Sequence, residues 1–302
     1  MRYFNYKQYN LKDLIAHKEK NKISIGLCLP MYNESKTIAK TIRVVRRCGK
    51  LIDDVVAIDS GSSDSSVEIC RNLNVKVITD KQSSKDLNVS LQRGKGWNLW
   101  ASLYYLNTDI VFWIDTDIQN IGERFITGVV GPMIMNKKIN FVKGYYHRPK
   151  NDARVTEIMV RPFINLIFPE LIKFIQPLSG EYGGRRKFLE KIDFYSGYSV
   201  EMAILLQAVF GLENKEIGQV YLGKRIHELQ SVVSLGKMSS NILHTLLRIS
   251  HKKKRIKINL KTLPNILTNF ISKNGIDFIC KKQKIADKKL QPMIKIKKNK
   301  II

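Results

Sequence analysis

Four short apolar runs, at residues 23–29, 54–58, 75–78 and 110–114, are separated by stretches with helical character at 35–48, 64–73 and 96–106. No other feature constrains this chain as strongly. Strand, helix and strand at this spacing build right-handed βαβ units, and hence an α/β domain with a mainly parallel, Rossmann-like central sheet flanked by helices. Ligands of such sheets bind beyond the carboxyl ends of the strands. There the chain carries Asn33-Glu34, the run from Asp59 to Asp64, and Asp115-Thr116-Asp117. Past Arg148-Pro149 the pattern loosens, with helices expected in 154–175 (broken by Pro162 and Pro169), 187–192 and 199–211.

Composition narrows the class. At 302 residues and 44% apolar the chain can bury a real core, which excludes a disordered protein. The net charge of +26 points to anionic ligands or surfaces, but it is uneven. Residues 251–302 hold 16 Lys and Arg against Asp277 and Asp287, so about half the excess lies in the last sixth of the chain. Four cysteines without C-x-x-C spacing are expected to be reduced thiols. The first residues lack the apolar run of a secretory signal, and the longest apolar stretch, 202–212, is interrupted by Gln207 and too short to span a bilayer. A cytoplasmic protein with no transmembrane segment is the expectation.

The polar loops carry the chemistry. Residues i and i+2 of a strand share a face, so an apolar strand ending in D-x-D presents Asp115 and Asp117 together. Two hard oxygen ligands suit Mg²⁺ or Mn²⁺ carrying a diphosphate, although two solvated acids on a loop would read the same. Gly94-Lys95-Gly96 opens a helix, where backbone N–H groups and Lys95 would favour an anion; an ordinary turn with an exposed Lys is the alternative. Asp59 to Asp64 reads as a cap cluster, with Asp64 or Ser63 capping the helix and Asp59 free to meet a ligand. At this level a structural role is the favoured reading of the lone His227, and a surface place at a helix start is the favoured reading of Arg154 over a bidentate contact to carboxylate or phosphate. No pattern for nucleophilic catalysis is present, and the motifs agree on metal-assisted chemistry at a diphosphate ester, as in a nucleotide-sugar.

The ordered motifs Leu29-Pro30-Met31-Tyr32-Asn33-Glu34, Asp59 to Asp64, Gly94-Lys95-Gly96-Trp97-Asn98-Leu99-Trp100 and Asp115-Thr116-Asp117 resemble those of GT-A-type glycosyltransferases. Lys143 to Pro149, Arg154-Val155-Thr156-Glu157, Arg161 to Asn165, Gln176 to Tyr182, Gly197-Tyr198-Ser199-Val200-Glu201 and Gln219-Val220-Tyr221-Leu222-Gly223 follow the pattern of the glucosyl-3-phosphoglycerate synthases. The resemblance spans roughly residues 23 to 238. It implies a GT-A fold and retaining transfer of glucose from UDP-glucose to the 2-hydroxyl of D-3-phosphoglycerate, giving the precursor of the compatible solute glucosylglycerate. By the same resemblance, Pro30, Met31, Tyr32, Glu34 and Ser60 would line the nucleotide. Lys95 and Asp115 would touch the donor, and Tyr198 and Glu201 would lie by the sugar. Lys95, Asp115, Asp117 and Glu201 would form the catalytic set, Arg154, Val155 and Thr156 would bind the acceptor, and Asp117 and His227 would ligate Mg²⁺ or Mn²⁺.

The domain plan that follows is an N-terminal extension (1–22), a nucleotide-sugar-binding half (23–150), an acceptor-binding half (151–250) and a basic C-terminal extension (251–302). Members of the family often form dimers, and the 154–212 helices are where a homodimer interface would fall. The chain departs from the family on the acceptor side. Asp152-Ala153 replace Gly-Gly, Ser199 replaces Gly, Tyr221 replaces Asp, and Glu228-Leu229 follow the His. A transferase with another donor such as GDP-mannose, or another small acidic acceptor, is therefore the rival reading. A degenerate enzyme that binds nucleotide without turnover is a further one. A polyanion-binding protein acting through its tail, on nucleic acid or anionic membrane, is a rival of a different class, against which the core lacks interleaved aromatic and basic residues.

Overall fold

The apolar runs alternate their side chains between two sheet faces, and each face buries its own core. Cys28, Val111 and Trp113 pack on one side, while Leu27, Leu29, Ile110 and Phe112 pack on the other. The computed structural model describes residues 1–147, 154–228, 230–272, 278–285 and 287–298.

The chain opens with β1 (Arg2–Asn5) and α1 (Leu11–Lys20), then alternates β2 (Ile25–Met31), α2 (Ile38–Arg47), β3 (Asp54–Asp59), α3 (Ser66–Asn72) and β4 (Lys76–Thr79). Next come α4 (Asp80–Leu87), α5 (Lys95–Tyr105), β5 (Ile110–Trp113), α6 (Glu123–Met135) and β6 (Phe141–His147). A π-helical segment (Thr156–Val160) leads into α7 (Arg161–Ile167), followed by β7 (Tyr182–Arg185), α8 (Arg186–Leu189), β8 (Phe194–Tyr195), α9 (Val200–Gly211) and β9 (Ile217–Lys224). The long α10 (Val232–Lys252), a hairpin of β10 (Ile266–Ser272) and β11 (Phe278–Lys284), and then β12 (Lys289–Leu290) and α11 (Met293–Lys298) complete it.

Eight strands form the central sheet in the order β1-β9-β6-β7-β5-β2-β3-β4. All neighbours are parallel except β7, which runs against both β5 and β6. This is the expected mainly parallel sheet with flanking helices. The first run extends two residues past 29, because β5 ends opposite Cys28 and Pro30 then has a paired strand on one side only.

Both ends of the chain join this fold. Arg2–Asn5 is the sheet's edge strand, paired with β9, and α1 packs against α6. At the other end β12 pairs antiparallel with β8, the Gln291 carbonyl accepts a hydrogen bond from Trp100 Nε1 at 2.8 Å, and Met293 is fully buried. The stretches read from sequence as extensions thus contribute a strand and a helix each to the main body. All four cysteines are free thiols. No helix among the described residues is long and apolar enough to cross a membrane. Asp152, Ala153 and Leu229, three of the departures noted on the acceptor side, lie outside the described residues.

Replacing Met293 with Ala should lower stability by about 2–5 kcal/mol, read as a lower midpoint in urea with an unchanged slope. A loss under 0.5 kcal/mol would mean that α11 adds nothing to the core.

Candidate active site

The carboxyl ends of β2, β3, β5 and β9 meet at one edge of the sheet. Antiparallel β7 begins there, since Tyr182 faces both Trp113 and Lys143. Its direction brings Glu181 to the same place as the D-x-D pair. Close approach is built in at two glycines. A Cβ on Gly180 would collide with the Asp115 carboxylate, and one on Gly96 would collide with the Tyr195 carbonyl. Gly94, at φ 117°, starts α5 so that Lys95 points inward.

At the centre lies a cluster of charges in which Glu181, Glu201 and Arg225 are buried while Lys95, Asp115 and Asp117 keep some contact with solvent. Lys95 Nζ contacts Asp115 Oδ1 and sits 2.6 Å from Glu201 Oε1. Arg225 Nη2 lies 2.8 Å from Asp117 Oδ1 and 3.2 Å from Asp115 Oδ2, and its Nε is 3.2 Å from Glu181 Oε1. That last contact is an ion pair without hydrogen-bond geometry, since Arg225 Nε and both Glu181 oxygens lack hydrogen-bond partners. Burial opposes the charge of Lys95, but Asp115 and Glu201 outweigh it and hold the ammonium well above its ordinary range. Burial likewise works against ionised Asp115, and Lys95 and Arg225 overcome it, leaving that carboxyl lowered. Glu181, fully buried, is raised because burial exceeds the help from Arg225. Beneath the cluster, burial pushes Lys143 down to about 7. Its Nζ donates to the Ser179 carbonyl at 2.9 Å and lies over the Tyr182 ring.

Two cavities open on this edge. The larger, about 560 Å³, is lined by Pro30, Met31, Tyr32, Glu34 and Ser60 together with Lys95, Asn98 and Tyr198. The smaller, about 150 Å³, is bordered by Arg154, Val155, Thr156, Glu201 and His227. Lys95, Asp115, Asp117 and Tyr198 border both. The residues expected from the family resemblance at the nucleotide, sugar, acceptor and metal all line one cavity or the other. Arg154, Val155 and Thr156, expected at the acceptor, lie at the start of the π-helical segment, a rare geometry enriched at functional sites, and Arg154 Nη2 donates to the Gln230 carbonyl at 2.7 Å. Asp117 and His227 share the smaller cavity. Among the described residues, no three His, Cys, Asp or Glu side chains are grouped to hold a metal by themselves.

The loop after β3 corrects one expectation. Asp59 does not face a ligand: it is buried and accepts from the N–H groups of Gly61 and Ser62 and from the Ser62 hydroxyl, which shapes the turn. Ser60 next to it donates to Asn98 Oδ1 at 3.0 Å and is the residue that reaches the cavity. Asp64 accepts from Ser35 N and Ser66 N, each at 3.0 Å, and so ties the first two strand loops together. Burial would raise its carboxyl, but the hydrogen bonds from Ser66 and Ser35 prevail and hold it at about 2. Arg225, Glu181 and Lys143 were not assigned roles from sequence. Arg225 stood two residues before His227, and a lone basic residue at a strand end carries no mark that it will be buried.

The chain matches the model of the family described as Glycosyl transferase family 2 over residues 27–200, more than half its length. It is 38% identical over 272 residues to a glucosyl-3-phosphoglycerate synthase of Petrotoga mobilis, covering 85% of this chain and 83% of that one. Its structure resembles the glucosyl-3-phosphoglycerate synthase of Mycobacterium tuberculosis, solved with Mn²⁺, UDP-glucose and phosphoglyceric acid, with a TM-score of 0.84, 30% identity and 95% of each chain covered. It also resembles a mannosyl-3-phosphoglycerate synthase from Rubrobacter xylanophilus, with a TM-score of 0.90, 25% identity and 97% of each chain covered.

Glu34 makes the charge of this sheet edge accessible to a pH measurement. Burial first, then the charges of Asp117 and Asp115, raise its carboxyl to about 7. The folded state therefore holds an extra proton from the ordinary carboxylate range up to about pH 7, and stability is lost as pH rises through that window. Glu34→Gln should raise the melting temperature of the ligand-free protein above pH 7 and have little effect near pH 4.5. An equal effect at pH 5 and pH 8 would refute the assignment.

Proposed function

The chain belongs to glycosyl transferase family 2 and, within it, to the glucosyl-3-phosphoglycerate synthases, and from that premise we propose that it moves glucose from UDP-glucose to the 2-hydroxyl of D-3-phosphoglycerate with retention of configuration. The observation that supports this most is the pair of cavities sharing the Lys95–Asp115–Asp117 wall. The larger falls within the roughly 300–1,000 Å³ of small-molecule sites and carries the residues expected at the nucleotide. The smaller carries Arg154 and Thr156, suited to a phosphorylated acid. An acceptor hydroxyl in one and a sugar carbon in the other would meet at the common wall, which supplies proximity and orientation.

The charges suit a divalent cation. The carboxylates Asp115, Asp117 and Glu201 outnumber Lys95 and Arg225 even with Glu34 left out of the count, and a diphosphate brought beside them needs a cation between. Asp117 and His227 would hold Mg²⁺ or Mn²⁺, with its remaining positions filled by diphosphate and water. When bound, the ion stabilises negative charge on the departing diphosphate.

Lys95 adds a second, fixed positive charge at the donor side of the wall. Glu201 is already paired with Lys95, which draws density from its carboxylate and fits it to orient groups instead of attacking carbon. The bond from the sugar carbon to the diphosphate oxygen breaks, the acceptor oxygen bonds the same face, and its proton passes to the departing phosphate. A covalent glucosyl adduct trapped on Glu201 would overturn this order of events. The likeness to the mannosyl enzyme favours a second reading, with GDP-mannose as donor. Pairing of two copies belongs to the same proposal; Ile158 and Leu166, 76% and 81% exposed on adjoining helical segments, are apolar side chains that it would cover.

Release of UDP from UDP-glucose should require both D-3-phosphoglycerate and Mg²⁺ or Mn²⁺, and should fall about a hundredfold or more in Asp117→Ala. Arg154→Ala should raise the KM for D-3-phosphoglycerate roughly 10- to 100-fold and leave that for UDP-glucose unchanged. Faster turnover with GDP-mannose would transfer the assignment to the second reading.

A further inference from the structure

The segment that carries Tyr198 and Glu201 is held from two sides, and only one of them belongs to the site. On the inner side it rests on the start of α5. The Ser196 carbonyl accepts from Trp97 N at 2.9 Å, and Gly94 and Gly96 let residues 195–197 lie directly against the backbone that presents Lys95. On the outer side lies chain from far along the sequence. Ser196 N donates to the Lys288 carbonyl at 2.9 Å, and Lys288 N donates back to Ser196 Oγ at 3.0 Å. Asp287 Oδ2 accepts from Ser199 N at 2.9 Å and also from Ser199 Oγ. Gly197 is so close to Asp287 that a Cβ there would strike its carboxylate. Lys289 Nζ sits 2.7 Å from Asp193 Oδ2, and β12 pairs with β8 just before the segment.

Ser199 is the residue before α9, and its own side chain makes no capping bond to that helix. Asp287 instead holds the cap residue itself. It satisfies the Ser199 N–H and puts a negative charge at the positive end of α9, whose first turn contains Glu201. We propose that Asp287 is a positioning residue for the transfer reaction. It straps the Ser196–Ser199 segment down on α5 and so sets the distance between Glu201 and Lys95 and the place of Tyr198 on the larger cavity. Ser199, a departure from the family pattern, contributes the second hydrogen bond that this strap uses. The proposal rests on the reading of Tyr198, Glu201 and Lys95 as residues of the donor side.

Asp287→Ala, Asp287→Asn, Ser199→Ala and the double variant Asp287→Ala/Ser199→Ala are compared with Met293→Ala, which weakens the same tail at a buried apolar position and leaves every polar contact of the strap in place. Four quantities are measured: kcat, KM for each substrate, UDP affinity by calorimetry with Mn²⁺, and melting temperature. Asp287→Ala should lower kcat about tenfold and weaken UDP binding several-fold, with the KM for D-3-phosphoglycerate within about twofold. Asp287→Asn, which keeps an acceptor for Ser199, should recover part of the loss. The double variant should be no worse than Asp287→Ala alone. Met293→Ala should melt earlier with kcat unchanged. The strap is refuted if Asp287→Ala melts earlier while kcat and UDP affinity stay within twofold, or if the effects of Asp287→Ala and Ser199→Ala add. Should the unaltered enzyme transfer nothing to D-3-phosphoglycerate, the functional reading fails separately. UDP affinity then decides the strap: a several-fold loss in Asp287→Ala supports it, and no loss refutes it.

Discussion

Two cations, Lys95 largely and Arg225 almost wholly withdrawn from water, hold the loops of this sheet edge in register. Each bridges carboxylates from different elements: Lys95 joins the loop after β5 to α9, and Arg225 joins that same loop to the start of β7. Taking such charges out of water costs several kcal/mol per ion, and only mutual pairing offsets it. The arrangement therefore tolerates little error. Loss of any one partner leaves the others as uncompensated buried charges, so the cluster acts as a single unit. It is also incomplete by itself, with more carboxylate than ammonium and guanidinium, and that imbalance is felt as far as Glu34.

The parallel half of the sheet is legible in the sequence because each βαβ unit is local. An apolar run, a capped turn and a helix occupy some thirty consecutive residues, and the strand ends mark the site without further help. The residues that complete the site depend on pairings that no local pattern announces. Glu181 reaches the cluster because β7 runs against its neighbours, and Tyr182 alone does not disclose its direction. Arg225 follows the last strand of the sheet, where a basic residue in a basic chain draws no attention. The two chain ends escape for a related reason. A four-residue strand such as β1 and a two-residue strand such as β12 are too short to show a period. Asp59 teaches the converse. Its sequence position is right for a ligand, but the N–H groups of the glycine and serine after it consume its oxygens first.

The departures from the family sort by where they fall in the fold. Tyr221 stands away from both cavities, on β9, with its ring 5.6 Å from that of Tyr145 and 6.4 Å from that of Tyr6. That substitution is absorbed by a row of aromatic side chains running from Tyr6 across β9 to β6 instead of by the pocket. Ser199 lies behind the pocket wall, where its hydroxyl meets Asp287. Neither needs to alter which acceptor is chosen, and the groups that face the smaller cavity, Arg154 and Thr156, match the family at their positions.

The parallel pairing of β1 with β9 sets Arg2 against Gly218. A strand made among the first residues therefore waits, without a partner, until more than two hundred others have been synthesised. Closing so long a loop is slow, and an unpaired edge is exposed to other chains in the meantime. Tyr3, Phe4 and Tyr6 lie in or beside that waiting strand. Nascent chains of this protein thus pass through a vulnerable interval whose length is set by translation speed. Conditions that slow the ribosome between the codons for β1 and those for β9 would cost yield through aggregation, with no change in the finished molecule.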